Sequence, residues 1–188
     1  SGHVRIYKNL DNIWTQVGED IDGESNGDSS GSSVSLSSDG SIVAIGAQLN
    51  SENGIVSGHV RIYKNVNNSW VQIGEDIDGE AEADYSGRSI SLSSDGETVA
   101  IGSTGNDGNG MRSGHVRIYK NVNDNWTKIG NDIDGEATND YSGNAISLSA
   151  DGKKIAIGAY GNNGNGTDSG QVRVYQIDYV TTAPIAPI

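Results

Sequence analysis

The sequence predicts an all-β fold built from repeated units, and three observations support this. The segment at residues 1–9 recurs unchanged at 57–65 and 113–121, and a related segment begins at residue 169, so that the unit starts are 56 residues apart. Each unit contains segments in which polar and apolar residues alternate, as in half-buried strands. Gly is abundant, with 27 of 188 residues, and Pro occurs only twice. This composition suits many turns and does not suit long helices.

Each unit is predicted to contain four strands. In the unit that begins at Gly87, the predicted strands are residues 89–93, 98–102, 115–119 and 126–130. The pair Asp95-Gly96 is a strong hairpin signal between the first two strands. A Gly- and Asn-rich loop at 103–113 joins the second and third strands, and an acidic linker at 132–142 follows the fourth.

Four antiparallel strands that repeat every 40 to 60 residues are typical of β-propeller blades, so the sequence predicts a propeller of 56-residue, four-stranded blades. Complete units span residues 31–78 and 87–134, with a half unit before them and a unit with a weak fourth strand after them. Propellers close with four to eight blades. We therefore expect a partial ring, or a ring completed by oligomerisation.

We expect residues 1–180 to form one repeat domain, with repeat starts at 1, 57, 113 and 169. Residues 181–188 contain both prolines and are expected to leave the sheet as an extended tail or linker. Because the sequence opens in the middle of a repeat and has no initiator Met, we also expect it to be a piece of a longer chain.

Charge and hydropathy exclude several partners. The formal net charge is -13, which argues against nucleic acid, since phosphate binding needs Lys and Arg. No run of about 18 apolar residues occurs, so no membrane span is expected. We expect a protein or glycan partner, or another copy of the chain.

One segment carries a family resemblance. Ser-Leu-Ser-Ser-Asp-Gly at 91–96, followed by Val-Ala-Ile-Gly at 99–102, resembles the second half of an FG-GAP or integrin-α-type propeller repeat. The whole unit is similar to FG-GAP-like repeats of marine microbial surface and secreted proteins. The resemblance implies an extracellular or cell-surface location. The hairpin that holds calcium in integrin-type repeats is only Ser-Ser-Asp-Gly or Ser-Ala-Asp-Gly here, so calcium is not expected at that hairpin.

The acidic linkers are the best candidate metal sites. Residues 20–28, 76–84 and 132–140 place carboxylates at positions 1, 3, 5 and 9, a spacing that suits the oxygen ligands of calcium. The candidate ligands are Asp20, Asp22, Glu24, Asp28, Asp76, Asp78, Glu80, Asp84, Asp132, Asp134, Glu136 and Asp140. The alternative is that these Asp residues cap backbone N–H groups in turns. The Ile between the first two Asp of each linker indicates a buried strand.

Two sets of repeated residues are interpreted as structural. The histidines occupy one position in the unit, which Gln171 takes in the fourth copy: His3, His59 and His115. The tryptophans each begin a predicted strand and are expected to pack between neighbouring blades: Trp14, Trp70 and Trp126. Tyr85 and Tyr141 share a position that Ser29 takes in the first linker, and this variation makes the two tyrosines candidate ligand contacts.

No part of the sequence indicates an active site. Every unit carries the same carboxylates, so no pair is singled out for acid–base chemistry. We therefore predict that the chain is not an enzyme. We expect a non-catalytic binding, adhesion or assembly module, with calcium as a candidate stabilising ion. The alternatives are an architectural segment of a giant repeat protein and a glycan-active propeller enzyme.

Overall fold

The structure, a computed structural model, describes residues 1–178. The predicted tail at 181–188 and the predicted domain end at residue 180 lie outside these residues. Residues 1–178 form strands, turns and bends, which confirms the all-β class. In this part of the chain no helix is long and apolar enough to cross a membrane.

Sixteen strands follow one another along the described chain. They are β1 (His3–Val4), β2 (Tyr7–Leu10), β3 (Ile13–Gln16), β4 (Ile21–Asp22), β5 (Ser33–Leu36), β6 (Ile42–Ala47), β7 (His59–Val66), β8 (Ser69–Gln72), β9 (Ile77–Asp78), β10 (Ser86–Leu92), β11 (Thr98–Ser103), β12 (His115–Val122), β13 (Asn125–Asp134), β14 (Ser142–Leu148), β15 (Lys154–Ala159) and β16 (Gln171–Gln176).

The strands group into four antiparallel blades. Blade 1 is a half blade in which β1 pairs with β4 and β2 pairs with β3. Blade 2 has the order β5-β6-β7-β8, with β9 also paired to β7, and blade 3 has the order β10-β11-β12-β13. Blade 4 contains β14-β15-β16. This arrangement confirms the predicted propeller-type blades, and within residues 1–178 the blades do not close into a ring.

In blades 2, 3 and 4, an Asp side chain fixes the hairpin between the first two strands. Asp39 Oδ1 accepts hydrogen bonds from the backbone N–H of Ser41 at 2.9 Å and from Ser37 Oγ at 2.7 Å. These bonds stabilise the ionised carboxylate and lower the pKa of Asp39 to about 2. The Asp-Gly pair in the sequence therefore marks a turn that is stabilised by hydrogen bonds from neighbouring residues to the Asp carboxylate.

The hydrophobic core consists of three separate clusters, and each lies at a junction, the interface between two successive blades. The second strand of blades 2, 3 and 4 places an Ile at the same position, and Ile45, Ile101 and Ile157 are 1%, 0% and 1% exposed. Ile101 belongs to the cluster that joins blades 2 and 3, where Val60 and Ile62 of blade 2 are also buried. Each blade therefore supplies one half of a core to each neighbour.

Glycine permits close contact between blades at the start of the third strand. Gly114 has φ +71°, and a Cβ built there would lie 2.2 Å from the carbonyl oxygen of Ser142 in the next linker. The same backbone bridge joins Gly58 to Ser86. A larger residue at Gly114 would separate blades 3 and 4 as well as strain the backbone.

Candidate functional site at the blade junctions

In blades 2, 3 and 4, an arginine on the third strand reaches back to the preceding blade. Arg117 Nη2 donates a 2.8 Å hydrogen bond to the carbonyl oxygen of Asp78, and Arg117 Nη1 lies 3.2 Å from Glu80 Oε1. The guanidinium also lies 5.9 Å from the ring centroid of Tyr119, within cation–π range. The Arg117 side chain is buried between the two blades, whereas its partner Glu80 is 44% exposed.

The same arrangement recurs at the other two junctions. Arg61 Nη2 bonds the carbonyl of Asp22, and Arg173 Nη2 bonds that of Asp134, both at 2.7 Å. Their Nη1 atoms lie 3.3 Å and 3.5 Å from the Glu at position 5 of the preceding linker. Glu24, Glu80 and Glu136 are therefore held by the next blade rather than by their own linker.

The Asp at position 9 of each linker caps its own loop. Asp84 Oδ2 accepts hydrogen bonds from the backbone N–H groups of Glu80 and Ala81 at 3.1 Å and 3.0 Å. Asn106 Nδ2 donates to Asp84 Oδ1 at 3.2 Å from the loop after β11. Burial raises the pKa of Asp84. Asp140 is capped in the same way, and Asp28 accepts the N–H of Ser25 at 2.7 Å, which is the capping alternative considered for these loops.

The Asp at position 1 is held by its own blade. Asp20 accepts hydrogen bonds from Arg5 at 2.7 Å and from Gln16 at 2.8 Å, and the Arg5 bond chiefly lowers the pKa of Asp20 to about 2. Asp76 accepts a 2.6 Å bond from Gln72, and Asp132 forms an ion pair with Lys128.

The Asp at position 3 lies within a strand in every linker: Asp22 in β4, Asp78 in β9 and Asp134 in β13. Burial raises the pKa of Asp78 and of Asp134. The neighbouring Ile21 and Ile77 are 6% and 5% exposed, which confirms that this stretch forms a strand with a buried side.

The carboxylates at positions 1, 5 and 9 of a linker thus have three different partners, and the Asp at position 3 lies within a strand. Among residues 1–178, two groups of His, Asp and Glu side chains bring three or more possible metal ligands together. Each group takes one carboxylate from a linker and another from the following linker. The hypothesis of one calcium ion per linker stays a prediction, and the geometry gives it no cluster from a single linker.

The larger of these groups, here called the junction cluster, comprises Glu24, Glu52, His59 and Asp76, with one ligand atom of each lying within 4.8 Å of the others. His59 Nδ1 lies 3.4 Å from Asp76 Oδ2 and 3.9 Å from Glu24 Oε2. The His59 side chain is 1% exposed, and its Nδ1 has no hydrogen-bond partner.

The second group, Glu80, His115 and Asp132, is the equivalent set one repeat later. Burial, reinforced by the charge of Arg117, lowers the pKa of His115 to about 4, although Asp132 acts in the opposite direction. His115 is therefore neutral at neutral pH. His3 is exposed, because no earlier blade covers it among the described residues.

The tryptophans link consecutive blades, as the sequence predicted. Trp70 Nε1 donates to the carbonyl of Val17 at 2.8 Å, and Trp126 Nε1 donates to that of Ile73 at 2.9 Å. Trp14 is 68% exposed. Packing between blades is thus observed for the second and third Trp, and the first lies on an uncovered face.

The two candidate ligand tyrosines occupy strained backbone positions. Tyr85 and Tyr141 have φ +55° and +51°, and both side chains are half-buried. The ring of Tyr141 stacks on Tyr160 with centroids 5.0 Å apart and an interplanar angle of 6°. A hydrogen bond to Tyr141 raises the pKa of Arg112. Ligand contact by Tyr85 and Tyr141 stays a prediction.

Sequence reasoning missed two features of the junctions. It gave no role to Arg61, Arg117 and Arg173, although each follows a linker Glu by 37 residues in every unit. It also described the segment containing Asn106 only as a Gly- and Asn-rich loop, whereas Asn106 is 8% exposed and bonded to Asp84. The constant Glu-to-Arg offset was the signal for the first feature, because opposite charges at a fixed spacing in every repeat indicate a contact between repeats.

Comparisons with known proteins support the fold. Residues 133–175 match the family model described as FG-GAP repeat, which confirms the resemblance seen in the sequence. No match was found among curated proteins.

Two solved structures share the architecture. One is described as a candidate 6-phosphogluconolactonase from Bacteroides uniformis, with 16% identity and a TM-score of 0.60 over 95% of this chain and 45% of that chain. The other is KlAtg21, solved in complex with the coiled coil of AgAtg16, with 14% identity and a TM-score of 0.53 over 77% of this chain and 39% of that chain. The chain thus spans less than half the length of these propeller-like proteins, and identities this low concern the fold alone.

Proposed function

We propose that this chain is a non-catalytic binding or assembly module whose terminal blade faces are completed by blades of a second copy. The observation that carries this proposal is a difference in exposure between equivalent residues. Val116 and Ile118 on β12 are 0% and 5% exposed, because blade 4 covers them. Val172 and Val174, at the same positions on β16, are 70% and 68% exposed.

A matching apolar face is exposed on the first strand of blade 2, next to the half blade 1. Ile90 and Leu92 on β10 are 9% and 8% exposed and belong to the core between blades 2 and 3. Val34 and Leu36, at the same positions on β5, are 53% and 49% exposed. At the junction of blades 3 and 4, Val116 and Ile118 share one cluster with Ile146 and Leu148, which occupy the positions of Val34 and Leu36. The exposed faces of β16 and β5 are therefore the two sides of one repeated junction. Exposed apolar patches of this kind are typical of interaction sites.

A second copy is the occupant we favour over an unrelated partner. The interior junctions show how the two faces fit, and a copy of the chain provides both of them. Because the chain spans 45% of the Bacteroides uniformis propeller, two copies supply roughly the amount of chain found there. We place the module outside the cell or at its surface, as is typical of FG-GAP repeats.

The test is the mass of the full chain in solution. Sedimentation velocity at tens of micromolar should give roughly twice the 19.6 kDa of one chain. The double variant Val172→Lys/Val174→Lys should sediment as a monomer, because two ammonium groups cannot be buried against an apolar face. The control Val122→Lys changes a residue that is 49% exposed on β12 and should leave the mass unchanged.

A wild-type chain that sediments as a monomer and melts cooperatively would contradict the assembly proposal. A dimer that persists in the double variant would contradict the proposed interface. Catalysis is tested separately, by incubation of the protein with a panel of polysaccharides. Turnover of any of them would favour a glycan-active enzyme, and no turnover together with retention on a glycan array would identify the partner class.

A further inference from the structure

We propose that the junction cluster of Glu24, Glu52, His59 and Asp76 is a binding site for a divalent transition metal of the zinc type. The four residues come from four parts of the chain: the first linker, the loop after β6, strand β7 and the second linker. A bound ion would therefore join blade 1 to blade 2. This inference does not depend on the assembly proposed above, because all four ligands belong to one chain.

The histidine distinguishes this cluster from an ordinary acidic surface. His59 Nδ1 is buried, has no hydrogen-bond partner, and is the atom that faces Asp76 Oδ2 at 3.4 Å and Glu24 Oε2 at 3.9 Å. Donors in a tetrahedral zinc site, each about 2.0–2.1 Å from the metal, lie about 3.4 Å apart. The observed separations are therefore close to those that one ion requires.

Neighbouring side chains hold the two partly exposed carboxylates in position. Gln72 Nε2 donates to Asp76 Oδ1 at 2.6 Å, and Arg61 Nη1 lies 3.3 Å from Glu24 Oε1. In each carboxylate, one oxygen is thus occupied and the other faces His59. Outer contacts of this kind orient ligands in known metal sites.

Glu52 provides the fourth donor from an anchored loop. Its backbone N–H bonds Asn50 Oδ1 at 2.9 Å, and the adjacent Asn53 Nδ2 bonds the carbonyl of Gly79 at 2.8 Å. Glu24 and Glu52 also line one open cleft, which gives an ion a path from solvent. Imidazole with carboxylates suits zinc and its neighbours, whereas calcium takes oxygen donors alone.

The next junction supplies a natural comparison. Its equivalent group, Glu80, His115 and Asp132, has Gly108 where the junction cluster has Glu52. Lys128 forms an ion pair with Asp132 at the position where Gln72 holds Asp76. With one donor fewer and an ammonium group beside it, this second group should bind zinc at least tenfold more weakly.

The experiment is calorimetric titration of Zn²⁺ into the tag-free, chelator-treated full chain. We expect one tight site per chain. His59→Gln should abolish it, and this change suits the fold because Gln171 occupies the same position in blade 4. Glu52→Gly should weaken binding about tenfold, since loss of one charged donor removes part of the coordination. His3→Gln and His115→Gln should leave the tight site intact.

Further arms separate the alternatives. Calcium in millimolar excess should not displace the zinc, and Lys128→Gln should strengthen binding at the second group. Zinc binding that is unchanged in both His59→Gln and Glu52→Gly would overturn the site, as would a wild-type chain with no binding at about 100 µM Zn²⁺. If His59→Gln fails to fold, zinc binding by Glu52→Gly still tests the site, because Glu52 is exposed and its replacement should leave the fold intact. Displacement of zinc by calcium would favour an oxygen-only site instead.

Discussion

The third-strand segment His-Val-Arg-Ile-Tyr-Lys-Asn occurs three times with the same residues but in two different environments. In blades 2 and 3 a preceding blade covers it, so His115 is 1% exposed and Arg117 is 4% exposed. In blade 1 the same face is uncovered, His3 is exposed, and Arg5 turns to Asp20 of its own blade. A neighbouring blade, rather than the segment itself, therefore determines which residues of the segment are buried.

The comparison holds at the other end of the described chain. Val174 has the pattern of a core strand residue yet is 68% exposed, whereas Ile118 at the same position is 5% exposed. Each junction is assembled from two half-cores, as in other repeat proteins whose stability is the sum of units and nearest-neighbour interfaces. Matched substitutions at equivalent positions can therefore measure what one neighbour contributes.

The largest expected effect comes from the apolar half-cores. Ile118→Ala should lower the free energy of unfolding by about 3 kcal/mol, because it removes buried methyl groups and leaves a cavity. Val174→Ala should change it by less than about 0.5 kcal/mol at concentrations where the chain is monomeric. Urea denaturation of the two variants and the wild type measures both changes in the free energy of unfolding. Equal losses would mean that Val174 is buried in the monomer.

Removal of the junction arginine should have the next largest effect. Arg117→Ala should cost about 2 kcal/mol, because it leaves the Asp78 carbonyl and Glu80 without their partner. Glu80 is 44% exposed, so water recovers part of the loss. Arg5→Ala, at the equivalent position on the uncovered face, should leave the urea midpoint nearly unchanged. A similar drop in both variants would assign the effect to the strand rather than to the junction.

A pair of glycines separates backbone strain from contact with the next blade. Gly74 and Gly130 are equivalent, with φ +73° and +68°. A Cβ on Gly74 would lie 2.8 Å from Trp126 Cδ1, and nothing lies within 4 Å of one on Gly130. Gly130→Ala should cost about 1 kcal/mol of strain, and Gly74→Ala about 1 kcal/mol more. The difference in melting temperature between the two variants measures this contact. It should vanish if neither Trp126 nor the Asp124 carbonyl, 3.1 Å from the added Cβ, packs on Gly74.

The smallest expected effect concerns one hydrogen bond. Trp126→Phe keeps an aromatic ring but removes the donor to the Ile73 carbonyl, and should cost about 1 kcal/mol. Trp14→Phe should cost almost nothing, since Trp14 is 68% exposed. Chemical denaturation followed by circular dichroism checks both. A cost at Trp14 as large as that at Trp126 would show that its indole N–H has a partner.

Local features of the fold were predictable from the sequence because they depend on residues close together in the chain. Alternating residues at 89–93 and the Asp95-Gly96 turn determine a hairpin through short-range geometry, and β10 and β11 form it. The Ile between two Asp correctly indicated a buried strand, and Ile77 lies in β9. The constant 56-residue step carried this prediction to the other blades.

The junction contacts were not predictable in the same way because they join distant residues. Glu24 and His59 lie 35 residues apart, and only the stacking of blades brings them together. The linker spacing suggested one ion held within a linker, since spacing in sequence says nothing about which blade each carboxylate faces. Glu52 belongs to a loop whose counterpart differs in the next unit, so no repeated pattern marked it.

The identity of the repeats also has a consequence for how the chain folds. Strands β7 and β12 have the same eight residues, His-Val-Arg-Ile-Tyr-Lys-Asn-Val. Their natural partners β6 and β11 differ only at their two end residues, Ile against Thr and Ala against Ser. If β6 pairs with β12 instead of β7, it therefore forms almost the same ladder of hydrogen bonds, and the repeat unit between them is left as a loop. The entropic cost of closing a loop grows only slowly with its length, so these mispaired species compete with the native pairing. Refolding should therefore show slow phases in which the mispaired strands separate and pair again.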